Sequence, residues 1–271
     1  MRESMNCIFC KGDSGGSRSV EHVIPESLGN TEHILNPGIV CDQCNNYFAS
    51  KVEGPLLSDP YFRYQCSQAD IPTKKGRPSR VRGLHPQSRT VIEVVRNLDG
   101  SGISVGAAFE NDERRWVEAI LKAENGRIYL PHPTAPNETL MSRFLAKVAV
   151  ECLALRAVEC ADVINEVVSE PALDPLRVYA RRGPPNPIWP FHARTLYPPA
   201  FAFTKTGQEP YEVLHEWVFA GLDGEGLYFV LGLFGVEYTL NLGEREIESY
   251  LVWLHANSDR SPLYPNGIEN P

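Results

Sequence analysis

Hydrophobic positions follow different periods along the chain. Over residues 138–158, Leu140, Phe144, Val148 and Cys152 recur every four positions, with Leu145, Ala149 and Leu153 beside them. That near-3.6-residue period predicts a helix. Arg143 and Lys147, one turn apart on the same stretch, read as a basic stripe on its hydrated face. Short β-branched and aromatic runs predict strands over 90–97, 103–109 and 127–130. Two further runs, 211–219 and 227–242, read as antiparallel strands, the second turning near Phe234-Gly235. A last helix is expected over 244–255, and the proline- and aromatic-dense 183–199 reads as an ordered surface loop.

The first 57 residues differ. They are rich in Cys, Gly, Asn and His and carry few large apolar side chains. Residues 17–24 read as a short strand, 35–40 as its return and 42–52 as a helix that Gly54-Pro55 ends. A segment with so little to bury needs a staple to fold. The stretch that follows holds Lys74, Lys75, Arg77, Arg80 and Arg82 among Gly and Pro, and reads as a loop or strand lead-in. The expected organisation is α+β: a small module over 1–57, a basic linker over 58–89, and a larger α+β domain over 90–271. Neither an internal repeat nor a low-complexity tract is visible.

Charge is segregated along the chain. Through Asp59 there are eight Asp or Glu against four Lys or Arg, whereas 61–100 holds eight Lys or Arg against three acids. The net charge of -8 argues against a general nucleic-acid coat protein. It does not exclude an enzyme that needs only a local basic surface along phosphates. No run approaches the roughly 20 apolar residues of a membrane span. The start, MRESMNCIFC, lacks the apolar run of a signal peptide, so the expected compartment is the cytoplasm. Four of the seven cysteines form two pairs, Cys7-x-x-Cys10 and Cys41-x-x-Cys44. Two such knuckles complete a tetrahedral four-sulfur shell, which selects zinc in a closed, structural site. Cys152, on the apolar side of the 138–158 helix, is expected in the core.

Between the knuckles lie SVEHVIPESLGN and ILNPGIVCDQCNN. With Glu21-His22, then Asn36, then Cys44-Asn45, this stretch resembles the HNH endonuclease family, in the branch with two flanking Cys-x-x-Cys pairs. The resemblance covers roughly Cys7 to Leu57. It implies a treble-clef-like ββα-metal fold on the structural Zn2+. It also implies His22 as the general base that activates water, a role suited to a group titrating near neutrality. Glu21 and Asn45 would supply oxygen ligands to a catalytic Mg2+ or Mn2+. Asn36 would orient the loop and the His22 ring, with Asn30 as a competing candidate. Ala49 stands where many relatives add a second His, which implies a loosely held cation. Glu53, about 12 Å along the helix axis from Asn45, is not counted as a ligand. His33 reads as an exposed loop residue.

The function so implied is hydrolysis of phosphodiester bonds, in DNA before RNA. The stretch Lys74, Lys75, Arg77, Arg80, Arg82 is the expected contact to the phosphate backbone. Arg181-Arg182 with Trp189 and Phe191 could combine charge with stacking, although packing of the proline-rich loop explains them better. One metal site cuts one strand, so a double-strand break asks for a homodimer or two successive events. The C-terminal part would recognise a target or bind a regulatory partner. By analogy, such a protein resembles a bacterial restriction or anti-phage effector. Two other readings stay open: a zinc-stabilised nucleic-acid-binding module without catalysis, and an RNA-cutting effector.

Overall fold

The structure is a computed structural model that describes residues 5–73, 75–97, 102–122, 126–157, 161–183, 187–198, 201–203, 211–222 and 226–268. Contacts divide the chain into two units, one of Met1–Leu56 with Asn137–Pro271 and one of Leu57–Pro136. The expected boundary at residue 90 is therefore corrected. The N-terminal module does not stand apart from the C-terminal part, because its few apolar residues complete their core against it. The stretch 57–136 is an insertion with its own sheet.

The module opens with a hairpin of two short strands, β1 (Glu21–His22) and β2 (Ile34–Leu35), antiparallel with Glu21 opposite Leu35 and His22 opposite Ile34. The expected strands 17–24 and 35–40 shrink to these pairs. Backbone amides of Arg18 and Ser19 donate to the Asp42 carboxylate instead of a strand partner. On the return side Gly38 turns the chain with φ +96. Helix α1 (Asp42–Phe48) follows, then a π-helical turn (Ala49–Glu53) and α2 (Gly54–Leu57). Gly54-Pro55 does not end the helical run. In the widened turn Gly54 N–H reaches back to the Ala49 carbonyl, and Pro55, which has no N–H to donate, is tolerated at the start of the next turn.

The inserted unit begins with α3 (Pro60–Gln68), capped by Asp59, whose carboxylate accepts from Tyr61 N–H at 2.9 Å. A three-stranded antiparallel sheet follows: β3 (Arg80–His85), β4 (Thr90–Arg96) and β5 (Ile103–Ala107), in the order β3-β4-β5. Helix α4 (Glu110–Lys122) packs on β4 and β5. The supposed linker 58–89 thus contains α3 and β3. The expected strand 127–130 amounts to one bridge, Tyr129 to Leu84.

The chain returns to the first unit with α5 (Glu138–Ala157), as the apolar period predicts. Its surroundings differ from expectation, since every residue from Met141 to Cys152 is buried. The helix touches the π turn, β2, the following helices α6 (Ala161–Ser169) and α7 (Asp174–Arg182), and the C-terminal sheet. Cys152 lies in this core, as expected. That sheet comprises β6 (Phe191–Thr195), β9 (His215–Leu222), β10 (Gly226–Leu233) and β11 (Val236–Asn241), in the order β6-β11-β10-β9 and antiparallel throughout. A separate pair joins β7 (Ala202–Phe203) to β8 (Tyr211–Glu212). The β10–β11 hairpin turns at Phe234 and Gly235, both at positive φ, as the sequence suggests. The 183–199 stretch is not all loop, because it contributes β6. Trp189 is buried there and donates its Nε1–H to the Asn241 carbonyl at 2.8 Å. The last helix, α8 (Glu248–Ala256), covers one face of the sheet, packing Tyr250 and Leu254 on Leu222, Tyr228 and Val230. No helix among the described residues is long and apolar enough to cross a membrane.

Candidate active site

The two knuckles meet as their spacing predicts. Cys7 to Lys11 closes a tight turn, with Lys11 N–H donating to the Cys7 carbonyl at 2.9 Å. Cys41 is the N-cap of α1, and its sulfur accepts from Cys44 N–H at 3.4 Å. Cys41 N–H donates to the Cys7 sulfur at 3.3 Å. The four sulfurs lie within 4.8 Å of one another, with Cys10 and Cys41 at 3.7 Å. A tetrahedral zinc with sulfurs at 2.3 Å would set them about 3.8 Å apart, so the donor set fits zinc. A hydrogen bond from the Cys44 thiol lowers the pKa of Cys7 to about 4, and the same bond raises that of Cys44. The group joins the N-terminal turn to the first turn of α1.

The hairpin sits beside this staple. β1 is only two residues long, and its two side chains take different surroundings, as neighbours on a strand do. His22 is half-buried, and its Nδ1 has no hydrogen-bond partner among the described residues. Asn45, on the first turns of α1, is half-buried and donates its amide to the Val20 carbonyl at 3.3 Å. The helix residue is thereby held against the start of β1. Asn36 is exposed, whereas Asn30 is fully buried. The Asn30 amide donates to the carbonyls of Ile24 (2.7 Å) and His33 (3.0 Å), and its oxygen accepts from the amides of Glu32 (3.1 Å) and His33 (2.9 Å). Asn30 therefore braces the connection between β1 and β2. A buried side chain with four matching backbone partners can hold a loop, and an exposed one cannot. His33 is not a free loop residue either. It packs edge-on against His215 of β9, with ring centroids 5.4 Å apart.

Glu21 turns inward. It is 5% exposed, and its Oε1 lies 2.7 Å from Nζ of Lys147 on α5. The same ammonium is 2.7 Å from Glu53 Oε1 and 2.9 Å from Glu151 Oε2. Lys147 and Glu151 are completely buried. Burial pushes the Glu151 carboxyl well above the usual carboxylate range, against the pull of Lys147, and pushes Glu21 up in the same way. Burial works against the Lys147 charge too, but the three carboxylates outweigh it and hold the ammonium protonated. The basic stripe read as hydrated is thus buried: Arg143 donates to the Tyr47 hydroxyl at 2.8 Å and to the Ala180 carbonyl at the end of α7. The signal in the sequence was Arg143, Lys147 and Glu151 at intervals of four within a long, largely apolar helix, which aligns them on one face. Glu53 belongs to the cluster although it lies far from Asn45 along the helix.

The expected phosphate contacts lie in the inserted unit. Lys74 lies outside the described residues. Lys75 and Arg77 are exposed on a turn closed by Thr73 N–H to the Arg77 carbonyl at 2.8 Å. Arg80 and Arg82 share one face of β3 and both reach Glu93 on β4, at 2.8 and 3.5 Å. With Arg63, Tyr64 and three prolines they line a cleft of about 380 Å³. Its three guanidiniums outnumber its one carboxylate, and Tyr64 offers a ring.

A carboxylate and a carboxamide are hard oxygen donors, and so few of them suit magnesium or manganese, whose other positions water fills. Among the described residues only the four cysteines form a cluster of three or more His, Cys, Asp or Glu close enough to share an ion. Neither a curated protein nor a solved structure matches the chain. Residues 7–60, from the first knuckle cysteine to the start of α3, match the model of the HNH endonuclease family.

Proposed function

We propose that the protein is a divalent-cation-dependent endonuclease that hydrolyses phosphodiester bonds, in DNA before RNA. The observation that carries this reading is His22: a half-buried imidazole with an unpaired Nδ1, on a hairpin stapled by four cysteines and touched by Asn45. His22 takes the proton from the attacking water, and Asn30 keeps the hairpin loop that carries it in register. Asn30 replaces Asn36 in that role. Glu21 and Asn45 would hold Mg2+ or Mn2+, which when bound supplies charge stabilisation to the scissile phosphate and the leaving oxygen. Arg80 and Arg82, with Arg63 and Tyr64 in the same cleft, bind the phosphate backbone of the substrate, and Lys74, Lys75 and Arg77 extend that surface.

One observation favours a second reading. The Glu21 carboxylate is buried and faces an ammonium, which opposes a dication. A zinc-stapled module that binds nucleic acid without cutting it would tolerate that arrangement. Supercoiled plasmid and a folded RNA, each incubated with the purified protein in Mg2+ or Mn2+ beside His22→Ala, separate the readings. The nuclease reading expects metal-dependent nicking that drops about a hundredfold or more in the variant, with zinc retained. Equal cutting by the variant would remove His22 from its role. An intact zinc-loaded protein that binds but cuts neither substrate would establish the binding module.

A further inference from the structure

We propose that Lys147, on α5 and outside the segment that matches the HNH family, is a positioning residue for hydrolysis. It fixes the strand bearing Glu21 and His22 and the helical run bearing Asn45 and Glu53 on one ammonium. The inference rests on the nuclease reading.

The geometry is specific. Lys147 Nζ reaches Glu21 on β1, Glu53 on the π turn after α1, and Glu151 one turn along its own helix, all at 2.7 to 2.9 Å. It also lies 3.5 Å from the His22 carbonyl and 3.4 Å from the Val23 carbonyl. The ammonium donates to the His22 and Val23 carbonyls, and its charge faces the three carboxylates. Both residues at the heart of the site are therefore gripped, Glu21 by its side chain and His22 by its backbone. Glu151 contributes no contact to the module. It lies fully buried beside Lys147, one helical turn along, with Oε2 2.9 Å from the ammonium, and holds that side chain in its direction.

A stability role explains this cluster poorly. Buried ion pairs contribute little to stability relative to well-packed apolar residues of the same size, because desolvation offsets their attraction. Directional contacts from one rigid helix do supply a fixed location. Reacting groups need that, since an error of about 1 Å in placement can cost on the order of a hundredfold in rate. β1 has only two residues and two backbone partners, too little to define its own position to that tolerance.

Four full-length proteins test the proposal: wild type, Lys147→Met, Lys147→Arg, and Lys147→Met with Glu151→Gln. The double variant removes one carboxylate along with the ammonium, so it remains informative should Lys147→Met fail to fold. Each is assayed for zinc content, for kcat and KM on plasmid DNA in Mn2+, and for hydrogen exchange of peptides spanning residues 20–24. The amide of Val23, bonded to the His33 carbonyl at 3.0 Å, reports directly on the hairpin. The expected result for a folded methionine variant is kcat lower by about ten- to a hundredfold. KM and zinc stay near wild type, exchange at β1 accelerates, and Lys147→Arg recovers part of the rate. A folded methionine variant, single or double, with wild-type kcat overturns the proposal, as does a change confined to KM. A wild-type protein that cuts neither DNA nor RNA defeats the nuclease reading instead. Exchange then decides alone: acceleration confined to β1 keeps Lys147 as the residue that positions the strand, and unchanged exchange removes it.

Discussion

Two asparagines on either side of β2 show how burial separates a structural role from a surface position. Asn30 lies in the connection before β2 and Asn36 directly after β2, and residue type does not tell them apart. Asn30 is enclosed and spends both ends of its amide on the backbone, at Ile24, Glu32 and His33. Asn36 is exposed. Replacing Asn30 by Ala leaves buried backbone groups without partners, a loss of about 1–3 kcal/mol. Asn36→Ala should stay within about 0.5 kcal/mol of wild type. Urea denaturation of the two variants checks this, and equal midpoints would contradict the assignment. The choice between them was open in the sequence because both sit beside turn formers, Asn30 after Gly29 and Asn36 before Pro37-Gly38, and the difference in enclosure appears only in the structure.

Elements here are short, and their ends are fixed by side chains. β1 and β2 have two residues each, and α1 starts on a cysteine that is both cap and member of the four-sulfur group. The ion that these sulfurs would hold substitutes for a core the hairpin lacks. Cys41→Ser should therefore do more than lower affinity. It is expected to lose zinc and a measurable share of the helical circular dichroism together. A zinc-free variant with the wild-type spectrum would show that packing on α5 suffices. The knuckles were legible in advance because Cys-x-x-Cys is a local geometry. The strand lengths were not, since Asp42 draws the amides of Arg18 and Ser19 out of any ladder from a position more than twenty residues away.

On the scale of the whole molecule, the N-terminal module and the C-terminal half form one unit, interrupted by an insertion. Contacts within that unit include the His33–His215 pair and Lys11 with Asp174 at 2.6 Å. Burial lowers the pKa of His215, with His33 adding to the effect, and burial also lowers His192 on β6. A histidine with a depressed folded pKa binds its proton more readily when the chain is unfolded. Its stabilising contribution is thus complete above about pH 6.5 and is lost as pH falls from there towards the folded value. His215→Gln removes that proton linkage. Its melting temperature should fall less than that of wild type between pH 7.5 and 5.5, as followed by thermal denaturation. Parallel curves would show that His215 does not titrate with unfolding.

The sequence by itself determined the zinc knuckles, the acid-His pair on a hairpin, the α5 helix and the β10–β11 turn. Each of these depends on residues a few positions apart, where spacing translates directly into geometry. Only the tertiary structure decided that Arg143, Lys147 and Glu151 point into the molecule, that Glu21 and Glu53 meet one ammonium, and that the chain divides around residues 57–136. Those facts depend on which distant surface covers a given face. A charge on an apolar helix is hydrated or buried according to what packs against it, and here the packing partner is the hairpin, more than a hundred residues earlier in the chain.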